Sequence, residues 1–156
     1  MKWLFLDNEI KEPINGMYGF VYILEFKDKN NKSKYYIGKK NFFEYRELKA
    51  LKNGKKRKGH IKFINHRKNG HIVKYELIKK ESNWKEYTGS IKGDINDLEL
   101  VKKTILMFAE SKRHLTYLEA KMLFRFDVLE NEEFLNENIL GKFFKGNIKW
   151  KSYLMY

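Results

Sequence analysis

Residues 19–26 read Gly-Phe-Val-Tyr-Ile-Leu-Glu-Phe, and this stretch sets the fold that the sequence predicts. Such a run of β-branched and aromatic residues is typical of a β-strand, in which Phe20 and Tyr22 would share one face because side chains alternate. The polar run 27–34 has the composition of a turn. A second strand, Tyr-Tyr-Ile at 35–37, ends at a glycine. Together these segments predict an antiparallel hairpin.

The pattern changes after the hairpin. Residues 41–51 carry apolar side chains at a spacing that fits one face of a short helix. Residues 52–59 consist almost entirely of lysine, arginine and glycine, which predicts an exposed basic loop. Residues 60–81 are split by a glycine and leave strand and helix both open.

The C-terminal half contains the clearest helix signal. Residues 116–129 have apolar side chains at helical spacing, and Thr116 and Glu119 form a Thr-x-x-Glu capping box at the start. The apolar run at 104–108 predicts a buried strand. With the hairpin, these segments predict an α+β fold: a small three-stranded antiparallel sheet flanked by helices.

The length of 156 residues favours a single domain, which we place at residues 1–156. Residues 1–16 would be a lead-in, and residues 139–156 a basic, aromatic C-terminal tail. The absence of cysteine excludes a disulfide framework, a thiolate zinc site and a cysteine nucleophile. The sequence has no apolar run near the roughly 20 residues that span a bilayer and no signal-peptide pattern, so we expect a cytoplasmic protein with no membrane partner.

Charge gives the first indication of function. The formal net charge is +13, and twelve basic residues but only two acidic ones fall between Lys39 and Lys68. A local positive field of this kind attracts polyanions, of which nucleic acid is the commonest partner. A lysine-rich face that is merely solvated would look the same, so charge alone does not decide between the two interpretations.

The order of several short motifs decides more. Gly19-Phe20-Val21-Tyr22 is followed by Tyr36-Ile37-Gly38, by Trp84–Ser90 and by Leu115–Ala120. In this order they resemble the GIY-YIG nuclease superfamily, and within it the phage homing endonucleases of the Seg type. The resemblance covers most of the chain, from about Gly19 to Asn138. The first motif departs from the family pattern, since its glycine stands one place earlier and Phe-Val replaces Gly-Ile.

The resemblance implies a metal-dependent DNA endonuclease that leaves a 3′-hydroxyl and a 5′-phosphate. Its divalent ion, Mg²⁺ or another such as Mn²⁺, would be held by Glu119, because a hard ion that keeps its waters needs few protein ligands. The competing interpretation of Glu119 is structural, as the third residue of the capping box.

The resemblance also implies the other catalytic residues. Tyr22 would orient or deprotonate the attacking water, and Tyr36 would support the water shell or the phosphate, although strand tyrosines are usually packing residues. Arg46 would grip the phosphate, unless it forms an ordinary surface ion pair. Asn136 is the family's late asparagine, with Asn138 as the alternative.

Double-stranded DNA is the expected partner, and we predict no protein partner. The residues expected to contact its backbone are basic and follow the second motif or form the basic loop: Lys39, Lys40, Lys55, Lys56, Arg57 and Lys58. The alternatives are a repair or restriction nuclease on the same scaffold, or a nucleic-acid-binding module without catalytic activity.

Overall fold

A computed structural model of the chain describes residues 1–92 and 95–147. These residues belong to two compact units, Met1–Lys40 with Trp84–Tyr156 (unit 1) and Asn41–Asn83 (unit 2). The strands are β1 (Trp3–Phe5), β2 (Asn8–Glu9), β3 (Gly19–Lys27), β4 (Ser33–Asn41), β5 (Phe43–Lys49), β6 (His60–Lys68), β7 (His71–Glu81), β8 (Glu99–Ala109), β9 (Asn138–Ile139) and β10 (Phe143–Phe144). The α-helix α1 spans Lys112–Arg125.

Unit 1 is built on a five-stranded sheet in the order β2-β1-β8-β3-β4. Strand β3 runs antiparallel to β8, whereas β1 runs parallel to β8. The predicted pairing of the two motif strands is confirmed, since β3 and β4 are neighbours. Their turn is closed by Asp28, whose Oδ1 accepts hydrogen bonds from the backbone N–H groups of Asn30 and Lys32 at 2.8 and 2.9 Å.

The two faces of this sheet have different partners. One face contributes Val21 and Ile37 to a core that includes Leu118 and Met122 of α1. The other face carries an aromatic cluster, in which the ring of Phe20 lies 5.0 Å from that of Trp3 and 6.1 Å from that of Trp84. The alternation predicted for the first motif strand therefore separates the helix-facing side chains from the aromatic ones.

The C-terminal helix is confirmed, but its predicted start is wrong. Helix α1 begins after Ser111, whose Oγ accepts the N–H of His114 at 3.2 Å. Thr116 lies inside the helix, where its hydroxyl donates to the carbonyl oxygen of Lys112 at 3.1 Å. The capping box was misleading because Ser111, five residues before Thr116, had already begun the first turn.

Unit 2 is a three-stranded antiparallel sheet in the order β5-β7-β6. The predicted helix at 41–51 is wrong, because this segment forms β5 and pairs with β7 along its whole length. Residues 60–81 form a hairpin whose turn is Asn69-Gly70, both at positive φ. Asn-Gly is a strong two-residue hairpin signal.

The predicted fold class is therefore wrong. The described residues form ten strands in three sheets and a single α-helix, instead of one small three-stranded sheet flanked by helices. The error has two sources. In unit 2, apolar residues at helical spacing belong to strands held by non-local pairing. In unit 1, the expected lead-in at residues 1–16 contributes β1 and β2 to a five-stranded sheet. Of the predicted C-terminal tail, residues 148–156 lie outside the described residues. No helix among the described residues is long and apolar enough to cross a membrane.

Candidate active site

Unit 1 contains an open cleft of about 430 Å³ beside the edge strand β4. Its lining includes Tyr36 and Lys39 of β4, Glu119 of α1 and Asn136 of the segment that follows the helix. Three of the five predicted catalytic residues thus line one cleft, together with one of the predicted DNA-contacting lysines. Elements distant in the sequence meet here because α1 packs on the sheet next to β4.

Glu119 is the partly buried carboxylate of this cleft. Its Oε2 lies 2.7 Å from Nζ of Lys39, and the two side chains are 17% and 35% exposed. The same Nζ donates to Oγ1 of Thr116 at 3.1 Å, one helical turn before Glu119. The capping-box residues are therefore both turned towards Lys39 rather than towards the helix backbone. This arrangement holds an acceptor and a cation side by side at the cleft.

Tyr22 lies behind the cleft in the aromatic cluster and is fully buried. Its ring centroid is 6.4 Å from that of Tyr36 and 6.1 Å from that of Tyr87, with which it shares a side-chain hydrogen bond. A Cβ atom on Gly38 would stand 2.4 Å from the Tyr22 hydroxyl oxygen. The glycine of the second motif is thus required because the phenol lies directly against its backbone.

Both phenols are weak acids in this environment. Burial, followed by the neighbouring hydroxyl of Tyr87, raises the pKa of Tyr22 far above its ordinary value. Burial, Tyr87 and the Glu119 carboxylate raise the pKa of Tyr36 to about 12. At neutral pH both side chains therefore carry their protons, so they are suited to donating hydrogen bonds and not to accepting a proton.

Asn136 binds the backbone of the edge strand with both ends of its amide. Its Oδ1 accepts the N–H of Ile37 at 3.0 Å, and its Nδ2 donates to the carbonyl oxygen of Ile37 at 2.8 Å. The residue is only 6% exposed. The amide thus fixes the strand between Tyr36 and Gly38. Asn138, the alternative from the sequence, accepts the N–H of Gly141 in an exposed turn at 2.9 Å.

The remaining predicted site residues divide between the two units. In unit 1, Nζ of Lys40 lies 4.3 Å from the ring centroid of Tyr87. In unit 2, Arg46 lies on β5 and its guanidinium pairs with Glu44 at 2.8 Å, as the ion-pair interpretation of the sequence anticipated. Also in unit 2, Lys55, Lys56 and Lys58 are exposed, whereas Arg57 is bound to the buried Glu76.

Two candidate functional residues were missed from the sequence, Tyr87 of unit 1 and Glu76 of unit 2. Tyr87 contacts Tyr22 and Lys40, and its hydroxyl is hydrogen-bonded to Oγ of Ser90, which lines the cleft. The stretch Trp84–Ser90 stood out as a motif, but a motif alone does not show which face its tyrosine occupies. Glu76 was missed because nothing near it in the sequence marks it as buried.

A divalent ion would find a sparse donor set in this cleft. Among residues 1–92 and 95–147, no group of three or more histidine, aspartate or glutamate side chains could hold a metal ion. The cleft does contain the Glu119 carboxylate, with the exposed Glu137 also on its lining. One or two carboxylates plus substrate phosphates fit Mg²⁺, which keeps several of its waters. The residues therefore fit the ion that the family implies.

Comparison with known protein families shows which family the chain belongs to. Residues 45–139 match the family model described as "Putative endonuclease segE, GIY-YIG domain". The matched range includes Arg46, Glu119 and Asn136, and it begins after the two motif tyrosines. No curated protein and no solved structure matches the chain. Because the family match covers more than half of the 156 residues, the protein belongs to the segE-type family of GIY-YIG endonucleases.

Proposed function

We propose that the chain is a metal-dependent endonuclease that hydrolyses phosphodiester bonds of double-stranded DNA. The observation that carries this proposal is the cleft of unit 1, where Tyr36, Lys39 and Glu119 line one opening in a chain of an endonuclease family. The reaction needs an activated water, a neutralised phosphoryl group and a leaving oxygen that regains a proton. Water attacks phosphorus, the bond to O3′ breaks, and the products are a 3′-hydroxyl and a 5′-phosphate.

The residues of unit 1 would divide these tasks. Lys39 brings a positive charge to the cleft, where it would contact a phosphate oxygen. Tyr36, a protonated phenol on the lining, would donate a hydrogen bond to the water or the phosphate. Tyr22, which is buried, would act indirectly. Its hydroxyl is hydrogen-bonded to Tyr87 and lies against the backbone of Gly38, so it would hold both in place beside the cleft. Asn136 would be a positioning residue, because both ends of its amide are bound to the backbone of Ile37.

Glu119 would hold the metal ion, with Glu137 close enough on the same lining to add a second carboxylate. When bound, Mg²⁺ or Mn²⁺ supplies Lewis acidity that eases deprotonation of water and neutralises phosphoryl charge. The carboxylate of Glu119 is held in the cleft by Lys39. Arg46, in unit 2, would be a separate phosphate ligand that exchanges Glu44 for DNA.

The test is nicking of supercoiled plasmid in EDTA, Mg²⁺ and Mn²⁺. We expect cleavage only with a divalent ion, and a loss of at least about 100-fold in rate for Glu119→Gln. Glu130→Gln is the matched control, because it makes the same charge change in unit 1 on an exposed side chain that does not line the cleft. It should remain within a few-fold of the unmodified protein.

Two results would defeat the proposal. Full nicking by a folded Glu119→Gln variant would show that Glu119 is not the metal ligand that the reaction needs. Binding of DNA without cleavage under any divalent ion would favour the non-catalytic binding module.

The biological role within this proposal is homing, in the cytoplasm of a host cell if the chain is encoded by a phage. The description of the matched family supports an endonuclease and does not specify its target. Mapping the cut positions on a whole genome tests the role. A single long recognition site supports homing, whereas many short sites support restriction and cuts confined to damaged DNA support repair.

A further inference from the structure

Most of the positive charge belongs to unit 2. Its 43 residues contain thirteen lysines and arginines and four glutamates, a net charge of +9 out of +13 for the whole chain. The densest part is the loop at residues 51–59, between β5 and β6. Lysines this close repel one another, and a loop without strand or α-helix structure would spread to separate them. An ordered conformation of this loop therefore requires contacts that offset the repulsion between its lysines.

Glu76 of β7 holds it. The carboxylate is fully buried, with 0% of the residue exposed, and lies in the strand between β5 and β6. Its Oε1 accepts the backbone N–H of Arg57 at 2.6 Å, and its Oε2 accepts from Nη1 of the same residue at 2.7 Å. His60 Nδ1 lies 3.0 Å from Oε1. One carboxylate thus binds the loop by backbone and side chain together.

A glycine fixes the end of the loop. Gly59 has a φ of +81°, and a Cβ atom there would stand 2.1 Å from the carbonyl oxygen of Lys79 on β7. The N–H of Lys79 also donates to the carbonyl oxygen of Gly59 at 2.8 Å. The loop therefore approaches β7 closely at two adjacent points, and only glycine permits the second.

Glu76 binds the guanidinium of Arg57 and so anchors the loop, while the lysines of the loop remain exposed to solvent. Lys55, Lys56 and Lys58 are exposed, and none of them forms an ion pair with any other residue that the structure describes. Three cations fixed on one short loop match the repeating phosphates of a nucleic-acid backbone. A preorganised loop loses less entropy on binding than a mobile one.

We infer that the loop at residues 51–59 is a duplex-DNA backbone site distinct from the cleft, and that Glu76 is its positioning residue. The choice of DNA as the polyanion rests on the proposed function. The site itself rests on the charge of unit 2 and on the contacts of Glu76 and Gly59. It binds the phosphates of the substrate without taking part in hydrolysis.

The first measurement is affinity for a labelled duplex of about 20 base pairs, two turns of B-DNA, in EDTA so that no cleavage occurs. Each phosphate contact contributes about 0.9 to the slope of log affinity against log salt. Replacing Lys55, Lys56 and Lys58 together by glutamine should reduce that slope by about 2.7. An unchanged slope overturns the inference.

The second measurement separates the anchor from net charge. Glu76→Gln makes the protein more positive, so charge alone predicts tighter binding. The anchor predicts the opposite, because the amide leaves the Arg57 guanidinium unpaired and releases the loop. Each phosphate contact strengthens binding by about eightfold when salt is lowered from 1 M to 0.1 M. A variant that has lost one contact should therefore bind about eightfold more weakly than the unmodified protein at 0.1 M salt, if the two bind equally at 1 M. The matched control is Glu47→Gln on exposed β5, which should bind at least as tightly as the unmodified protein.

A third comparison changes no charge and decides the matter if Glu76→Gln does not fold. Gly59→Ala forces the loop away from Lys79, whereas Gly70→Ala has the same positive φ in the opposite hairpin turn and meets no atom within 4 Å. We expect weaker binding for Gly59→Ala alone. Equal affinities for the two variants, or tighter binding by a folded Glu76→Gln, overturn the anchor.

These outcomes are distinguishable from failure of the proposed function. Cleavage that disappears in Glu119→Gln while the loop variants bind normally supports the nuclease and defeats the loop site. Loop-dependent binding in a chain that never cleaves supports the loop site alone. Tighter binding of duplex RNA than of duplex DNA, measured in the same EDTA buffer, would overturn the assignment of the partner.

Discussion

Replacing Asn136 by alanine tests whether its amide maintains the edge of the sheet. The substitution removes the acceptor for the Ile37 N–H and the donor for the Ile37 carbonyl, bonds of 3.0 and 2.8 Å. Both backbone groups lie on a residue that is only 1% exposed. Alanine supplies no replacement for the amide, so the two groups are left without protein partners.

The expected loss follows from these contacts. A buried hydrogen bond contributes about 1 kcal/mol net, and an unsatisfied buried group costs about 1–3 kcal/mol. Two such groups on Ile37 place the destabilisation by Asn136→Ala at about 2–6 kcal/mol. This is a large part of the roughly 5–15 kcal/mol that stabilises a typical domain. Asn136→Asp should also destabilise the protein, because its carboxylate can still accept the Ile37 N–H but cannot donate to the Ile37 carbonyl and places a negative charge against that oxygen.

The measurement is urea-induced unfolding followed by circular dichroism. The matched control is Asn138→Ala, which removes one hydrogen bond from an exposed turn and should cost about 1 kcal/mol or less. Equal destabilisation by the two alanine variants would refute the structural role of Asn136. A folded Asn136→Ala variant with unchanged stability but no nuclease activity would do the same, and would make the amide a catalytic group.

Three further outcomes can be checked. Gly38→Ala should displace the Tyr22 hydroxyl and lower stability by about 1–3 kcal/mol in thermal melts, as overpacking does. Burial alone would raise the pKa of Glu76, but the hydrogen bonds that Arg57 donates lower it below its ordinary value. The stability that Glu76 contributes is therefore present at neutral pH and is lost as pH falls below about 4.5, which urea midpoints across this range would show and which Glu76→Gln should abolish. Burial lowers the pKa of Lys103 to about 8, so the unfolded chain binds more protons between about 8 and 10.5. Stability from this group should rise with pH over that window, and Lys103→Met should flatten the rise.

Local patterns predicted the β3–β4 hairpin of unit 1, although they missed β1 and β2 of the same sheet. Alternation in β3 separated Phe20 and Tyr22 from Val21, and the structure has the same division between aromatic cluster and helix-facing core. The polar turn after β3 was predicted from composition, and Asp28 explains why it closes there. These features depend on neighbours within a few residues, so the sequence contains what is needed to infer them.

The strands of unit 2 depend on distant partners. In β5, Tyr45 pairs with Lys79 and Leu48 with Glu76, more than 25 residues away. Apolar residues at helical spacing were misleading here, because an exposed strand need not alternate strictly. The helix start was lost for another reason. Ser111 is followed by Lys112 and Arg113, whereas acidic residues are favoured in a first turn.

The candidate site was predictable as a set of residues, but its division of labour was not. The sequence associated Tyr36, Glu119 and Asn136 through motif order, and all three line the cleft. It could not show that the Asn136 amide binds backbone, or that Lys39 pairs with Glu119, since both contacts join residues about 80–100 positions apart. Which atoms a polar side chain satisfies is set by packing that motif spacing does not encode.

The segment that carries Asn136 has a consequence for solubility. Edge strands present unpaired N–H and C=O groups, and these recruit strands from other molecules and promote aggregation. Along β4 the N–H of Tyr35 donates to Glu133, its carbonyl accepts from Leu135, and both groups of Ile37 are occupied by Asn136. The edge of the sheet beside Tyr36 is thus closed to intermolecular β-pairing, while Tyr36 still lines the cleft.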